Sequence, residues 1–287
     1  MLWCVISHSS VAQEGQEQEV NPKRLRTFVI GSSVLYGATL VGLNELWYKD
    51  FPRRSFHFFN DNSQWLQVDK VGHFYSAFHL SSAGTKAFQW TGLNDAKSHF
   101  WGSMLGVIFL TPIEIMDGFS SEFGASYGDL IANTAGSGLF LGQYLVWKEV
   151  RIHPKFSFQR TDFAPLRPTT LGDGFQEEIL KDYNGQTYWL SVDIYKFLPS
   201  ESKFPKWLNI AFGYGGENMI FANRESNLGA GFDPFRQYYI GLDWDLTHIK
   251  SRSKVINTLL FAANMIRLPA PALELSRERV KFHILSF

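Results

Sequence analysis

Cysteine is nearly missing: Cys4 is the only one among 287 residues. That excludes an internal disulfide framework and any zinc site assembled from several thiolates. Charge is scarce too, with Asp, Glu, Lys and Arg making up 19% of the chain against about 25% in average soluble domains. Acidic and basic residues balance at 27 each, so no overall basic field recommends a nucleic-acid partner, and none is expected. Aromatic residues, by contrast, supply 16% of the chain, a composition that points toward a membrane or another apolar surface. A mean hydropathy of -0.12 excludes a chain made mostly of spanning helices.

Residues 1–27 read as a leader. Met1 to Gln13 resemble the end of a secretory signal, with a short apolar stretch and then small residues but no basic residue in front. Cys4, with Leu2 before it, is also open to a reading as a lipidation cysteine. The basic cluster Pro22-Lys23-Arg24-Leu25-Arg26 precedes a charge-free run from Phe28 to Asn44. Such a run is at the lower edge of what crosses a bilayer, and the cluster would then hold the N-terminus in the cytoplasm. The alternative is a buried helix of a bundle, since Ser32, Ser33, Thr39 and Asn44 weaken the hydropathy.

Residues 28–150 are expected to form a helical module of about four apolar helices. A polar connector, Asn60 to Gln67, leads to segments from Asp69 to about Trp90, from near Asp95 through Ile115, and from about Ser126 to Trp147. Asn94 supplies a cap, Pro112 a break or kink, and Ser126 with Asp129 a capping-box-like start. Gly102 and Gly106, then Gly128, Ala132 and Gly136, then Gly138 and Gly142 recur at four-residue steps, a ridge that lets helix backbones approach closely. Uncommon polar residues fall in pairs within these segments: Asp69 with His73, Glu114 with Asp117, and Asp129 with Asn133. Three- and four-residue separations put each pair on one helix face. If the faces converge, acid, imidazole and carboxamide groups meet in a poorly hydrated interior, where leaving them unpaired costs kilocalories each.

Three strings carry a resemblance. Asp69-Lys70-Val71-Gly72-His73-Phe74, Glu114-Ile115-Met116-Asp117-Gly118, and Ser126-Tyr127-Gly128-Asp129-Leu130-Ile131-Ala132-Asn133-Thr134-Ala135-Gly136 resemble the YfiM-like family, a bacterial domain of unknown function described as predicted periplasmic lipoproteins. The similarity covers residues 60 to 147. More distantly, the order Asp-Lys, His-Phe, Glu, Asp, Asn and Gly is similar to VanZ-like membrane proteins associated with glycopeptide resistance. Those tend to carry Gln at the position of Asp117 and Arg at that of Ser126. The resemblance implies a cell-envelope location, on the periplasmic face or at the outer membrane, and a helical module with the motif residues facing inward. It implies no reaction.

Residues 151–287 differ in texture. Leu208 to Tyr214 and Tyr238 to Thr247 alternate with period two, as half-buried antiparallel strands do, and Tyr188 to Phe197 is a third candidate after the Asn184-Gly185 turn signal. Residues 273–275 and 279–287 add shorter strands, and 253–266 read as a helix capped by Ser253 and stopped by Pro269. The fold class is therefore α+β, a helical bundle followed by an antiparallel β-rich module with one helix. The terminal Phe287 invites an outer-membrane barrel, but the row Leu285, His283, Lys281 and Arg279 is not apolar and the strands number fewer than eight. An open sheet, packed on the helices or lying at a membrane surface, is expected instead. His8, His99, His153, His248 and His283 lack spacing partners and read as surface or loop residues. Trp189, Trp207 and Trp244 read as core rather than an interfacial belt, and Asp182 to Gly185 as a turn rather than a calcium loop.

The helical cluster admits three readings. In one, His73 with Glu114 and Asp129, aided by Asp69 and Asp117, holds zinc, manganese or iron for metal-assisted hydrolysis. Against it, no second histidine stands at a defined spacing, His79 being six residues from His73, so no resident cofactor is expected and a divalent metal is the alternative. In the second, His73 is a general acid or base oriented by Asp69 or Asp129. Ser126, within Gly124-x-Ser126-x-Gly128 but without a preceding strand, is there a helix cap before it is a nucleophile. In the third, Lys70 and His73 pair with Glu114, Asp117 and Asp129 to fix the helix register, and Asn133 bonds a backbone carbonyl. The function expected is a structural or binding role toward a membrane lipid or envelope component. The alternative is a hydrolase or transferase acting on a lipid-linked or cell-wall substrate.

Overall fold

Asn21 accepts a hydrogen bond from the Arg24 amide (3.1 Å) and Pro22 takes the first helical position, so helix α1 starts ahead of its charge-free run and covers Pro22–Leu43. A π-helical turn continues it to Tyr48. The structure is a computed structural model that describes residues 19–49, 51–277 and 279–286. The leader readings at Met1–Gln13 and Cys4, with His8 and Phe287, fall outside the described residues.

Helices α2 (Val68–Trp90), α3 (Asp95–Gly118) and α4 (Tyr127–Trp147) complete the bundle. Asn94 caps α3 through the Lys97 amide (2.9 Å), and Ser126 caps α4 through the Asp129 amide (3.1 Å). Pro112 does not break α3, which runs through it to Gly118. A proline removes one backbone hydrogen bond, and packing along the rest of the helix is retained. A Cβ at Gly102 would overlap Thr85, one at Gly106 would overlap Ala77 and Ser137, and one at Gly136 would overlap the Phe74 carbonyl. These positions let α2, α3 and α4 approach. A Cβ at Gly138 or Gly142 would meet nothing within 4 Å among the described residues, so the last part of the small-residue ridge serves no close helix approach there. Gly136→Ala is thus expected to cost about 1–3 kcal/mol by overpacking, whereas Gly138→Ala gains about 0.5–1 kcal/mol in helix propensity. Urea midpoints of the two variants should move in opposite directions at constant m.

Six strands follow in one antiparallel meander: β1 (Ile152–Phe158), β2 (Gln186–Val192), β3 (Leu208–Glu217), β4 (Phe235–Trp244), β5 (Ala270–Ser276) and β6 (Arg279–Ser286). Short helices α5 (Pro168–Leu171), α6 (Phe175–Lys181), α7 (Arg224–Gly229) and α8 (Lys254–Ala263) lie in the connections. The fold is α+β. Strand β1 escapes the sequence reading because Pro154 interrupts its alternation. Residues 194–197 leave the expected third strand for a 3-10 turn capped by Asp193, and α8, capped by Ser253, ends at Ala263 rather than 266.

The sheet is polar inside and apolar outside. Lys155, Trp189, Asn209, Ala211, Asp243 and Glu274 point inward and are buried, whereas Leu190, Phe212, Ile240, Leu273 and Phe282 point outward and are exposed. Lys281 and His283 approach Glu274 at 3.8 and 2.7 Å, so the charged row of β6 lies on the inner side. The row opposite, Val280, Phe282 and Ile284, is the apolar one, which corrects the face on which the barrel was judged.

The sheet is also curled rather than flat. Lys155 Nζ on β1 lies 2.7 Å from Asp243 Oδ2 on β4, although three strand spacings in a flat sheet amount to about 14 Å. The segment Met265–Arg267 runs along β1, with Phe156 N donating to Met265 O (3.0 Å) and Arg267 N to Phe156 O (2.8 Å). The Arg267 guanidinium then bonds the Ser286 carbonyl of β6 and stacks on Trp189 (3.8 Å). The first and last strands are linked through this segment. Helix α2 covers the outer side of β1 and β2: Tyr75 Oη donates to Met265 O (3.1 Å), its ring meets Phe156 and Tyr188, and His79 Nε2 donates to Pro154 O (2.8 Å).

Candidate functional site

The start of α2, the end of α3 and the start of α4 meet at one end of the bundle, and this brings the three polar pairs together. Immediately before α2, Trp65, Leu66 and Gln67 all take left-handed backbone angles (φ 46, 50 and 66°). Non-glycine residues held there cost about 1–3 kcal/mol each and persist only where the surroundings over-determine them. Here the sheet does so: the Tyr214 hydroxyl bonds the Leu66 carbonyl, and Arg236 Nη2 donates to Gln67 Oε1 (2.7 Å). Ala222 O accepts from Trp65 N (2.8 Å). This turn aims Asp69 and Lys70 at the other helices.

Lys70 Nζ sits 2.5 Å from Asp61 Oδ2 and 3.0 Å from both Asp69 Oδ2 and Asp129 Oδ2. It therefore pairs with Asp61, Asp69 and Asp129, not with Glu114 or Asp117. Ser126 acts in three ways: its hydroxyl caps α4 and donates to Asp61 Oδ1 (2.6 Å), while its amide donates to Glu114 Oε2 (3.0 Å). That consumption of its hydroxyl leaves it a structural cap. Asp117 Oδ1 accepts from the Tyr48 hydroxyl (2.8 Å) and stands outside the inner group.

His73 is the centre. Asn133 Oδ1 faces His73 Nδ1 at 3.1 Å, so Nδ1 is the donor of this hydrogen bond and Nε2 is the ring nitrogen turned toward the carboxylates. Asn133 orients the imidazole, in place of the Asp69 or Asp129 expected from sequence, and it does not bond a backbone carbonyl, since its buried Nδ2 has no partner among the described residues. Nε2 lies 3.8 Å from Glu114 Oε1 and 3.8 Å from Asp129 Oδ1. Those two oxygens, like Asp69 Oδ1, are buried and have no hydrogen-bond partner among the described residues. One nitrogen and two carboxylate oxygens, all within 4.8 Å of one another, match the donor set of a divalent cation. The His73 side chain is 22% exposed against 3% for Glu114, so the histidine is the more exposed member of the group.

The electrostatics show the same shortage of positive charge. Burial, reinforced by the neighbouring Asp129, pushes Glu114 up to about 8. Burial also raises Asp117 to about 7 and Asp69 to about 6, the latter against the opposing pull of Lys70. Burial alone would lower Lys70, but the charges of Asp69 and Asp129 prevail and hold it above its ordinary value. Three carboxylates thus share one lysine, and Glu114 and Asp117 lie beside them without a paired cation among the described residues. Asp61 was missed from sequence because it stands in the polar connector between Asn60 and Asn62, with no periodic pattern to single it out.

Among the other described histidines, His248 on the β4–α8 connection and His283 keep the expected surface or loop positions at 26% and 36% side-chain exposure, whereas His99 at 15% is more enclosed than expected. His99 stacks on Tyr144 (3.6 Å), His283 bonds Glu274, and His248 Nε2 lies 3.4 Å from Asp193 Oδ2 and 3.6 Å from Asp245 Oδ2. Burial drives His153 down to about 4, with Asp245 opposing. The Asp193–Asp245–His248 group already has its cation, since Lys196 Nζ is 3.3 Å from Asp193 Oδ2. Trp189 is core, as expected, whereas Trp207, stacked on Trp244 (5.3 Å), is 49% exposed and is not core.

His79 points away from the cluster, and burial lowers it to about 4 from 6.5. Its neutral form supplies stability that is complete above about 6.5 and lost as pH falls through about 4. A His79→Gln variant keeps a donor for Pro154 O and does not titrate. Between pH 7 and pH 4.5 it is expected to lose on the order of 2 kcal/mol less than the parent, as measured by urea denaturation at the two pH values.

Residues 57–144 match the model of a family described as predicted periplasmic lipoprotein (DUF2279). The matched stretch contains every residue of the cluster. No curated protein and no solved structure matches the chain.

Proposed function

We propose that this is a cell-envelope protein whose helical module holds a divalent cation between His73 Nε2, Glu114 Oε1 and Asp129 Oδ1, and through it an anionic envelope component. The observation that carries the reading is the pair of buried, partnerless carboxylate oxygens flanking His73 Nε2 at 3.8 Å. A buried carboxyl oxygen left without a partner costs about 1–3 kcal/mol, and a cation placed among the three atoms removes that cost. The match of residues 57–144 to a predicted periplasmic lipoprotein family supports the envelope location. Asn133 is the orienting neighbour that metal-bound histidines usually have, Lys70 neutralises the Asp129 oxygen turned away from the cation, and the Ser126 amide holds that of Glu114.

A second reading is favoured by the number of ligands. Three protein donors leave coordination positions free, and the 22% exposure of His73 gives access to them. That is the arrangement of hydrolytic rather than closed structural sites. A lipid-linked or cell-wall ester or phosphoester is then the substrate class. Calorimetric titration of chelator-stripped protein with Zn²⁺ and Mn²⁺ tests the site itself. One binding event per chain, lost in His73→Ala and Glu114→Gln, is expected. A parent protein that takes up neither ion leaves the cluster a register-fixing network and ends both readings.

A further inference from the structure

The inverted polarity of the sheet concerns surfaces away from the cluster. Helix α2 covers the outer side of β1 and β2, but the outer side of β4–β6 has no covering element among the described residues. There Ile240, Leu273, Leu275, Val280, Phe282 and Ile284 are exposed, the last at 73%. Behind them the interior holds the Lys155–Asp243 pair, Arg267 and Glu274, the last bonded to a partly exposed His283. In water the same alternation would be expected with its faces exchanged, because exposed apolar area and buried charge are both unfavourable. In hydrocarbon the observed arrangement is the favourable one.

Helix α8 adds charge to the argument. None of its ten residues is buried, Val255, Ile256 and Leu259 are exposed, and Lys250, Arg252 and Lys254 precede or open it. A short helix with an unpartnered apolar side and flanking cations is the form that lies at an anionic lipid–water boundary. Helix α1 shows the same preference independently. It has no buried residue along its 22, carries Lys23, Arg24 and Arg26 in its first turns and no acidic residue, and is long and apolar enough to reach across a bilayer. A protein partner typically covers about 800 Å² on one side. Here the apolar surface recurs on α1, α8 and three strands, in both the helical and the β-rich modules.

We infer that the outer face of β4–β6, together with α8, rests in the acyl and headgroup layers of a bilayer containing anionic lipids. This contact is separate from any acyl anchor at Cys4 and independent of the cation site.

The test uses the full chain carrying Cys4→Ala, which removes both the sole cysteine and any lipid that could be attached to it. Single cysteines introduced by Phe282→Cys, by Val255→Cys, and by Glu201→Cys as an exposed loop control are labelled with a polarity-sensitive fluorophore. The detergent-purified proteins are then placed in vesicles of phosphatidylethanolamine and phosphatidylglycerol. Brominated acyl chains should quench the labels at 282 and 255 several-fold more than the label at 201. Aqueous iodide should show the reverse order. Unlabelled protein should float with the vesicles, and less so when Arg252→Glu and Lys254→Glu are combined or when the lipid is phosphatidylcholine alone.

Equal iodide access at 282 and 201 in vesicles that carry folded protein, judged by circular dichroism, overturns the inference. So does a lipid-free dimer, seen by sedimentation, that already shields the label at 282, since a second copy would then be the occupant.

Discussion

Replacing Lys155 with methionine is expected to destabilise the protein by about 3–5 kcal/mol, the scale at which removing one partner of a buried ion pair leaves the other uncompensated. Lys155 and Asp243 are 1% and 0% exposed. Without the ammonium, Asp243 keeps the Ser191 hydroxyl (2.6 Å) but its Oδ1 has no partner, and the Trp244 carbonyl loses its donor at 2.7 Å. Lys155→Met combined with Asp243→Leu should recover most of the loss, because apolar replacement of both partners removes the desolvation cost together with the attraction. Denaturant midpoints of the single and double variants measure the difference. A single variant within about 1 kcal/mol of the parent would mean that water reaches the inner face, and the inside-out description of the sheet would fall with it.

The second large effect concerns the cation. At a concentration about 100-fold above its dissociation constant, Zn²⁺ or Mn²⁺ is expected to stabilise the stripped protein by about 2.7 kcal/mol, read as a rise in melting temperature. Glu114→Gln and His73→Ala should abolish the rise, each removing one of only three donors. Asn133→Ala should keep all three donors but weaken affinity by about 10–100-fold, the usual effect of deleting a group that orients a metal-bound histidine. The variants also separate a cation site from a purely structural network. In the network case stability changes without any dependence on added ion, and Asn133→Ala behaves no differently from Glu114→Gln.

Much of the helical module was legible because its signals are local. The caps at Asn94, Ser126 and Ser253 depend on a side chain meeting an amide three residues on, and the polar pairs depend on three- and four-residue spacing. The convergence of His73, Glu114 and Asp129 followed from those faces plus the close approach allowed at Gly102, Gly106 and Gly136. Partner choice within the cluster was not legible. Lys70 turned to Asp61, which only the left-handed turn at Trp65–Gln67 brings within reach, and that turn is held by Tyr214 and Arg236 from β3 and β4.

The sheet divides the same way. Its period-two runs in β3 and β4 are written in the chain, and so are the turn at Asn184-Gly185 and the helix after Ser253. Which side faces inward is not, because an alternating pattern is unchanged when its two faces are exchanged. That choice depended on Lys155 meeting Asp243 and on Arg267 joining the first strand to the last. Sequence alone therefore determined where the capped helices α3, α4 and α8 begin, which residues share a face and that the fold is α+β, since each rests on interactions within a turn of chain. Tertiary structure alone decided the inner side of the sheet, the orientation of His73 by Asn133 and the recruitment of Asp61, since each joins residues that meet only after the chain has closed on itself.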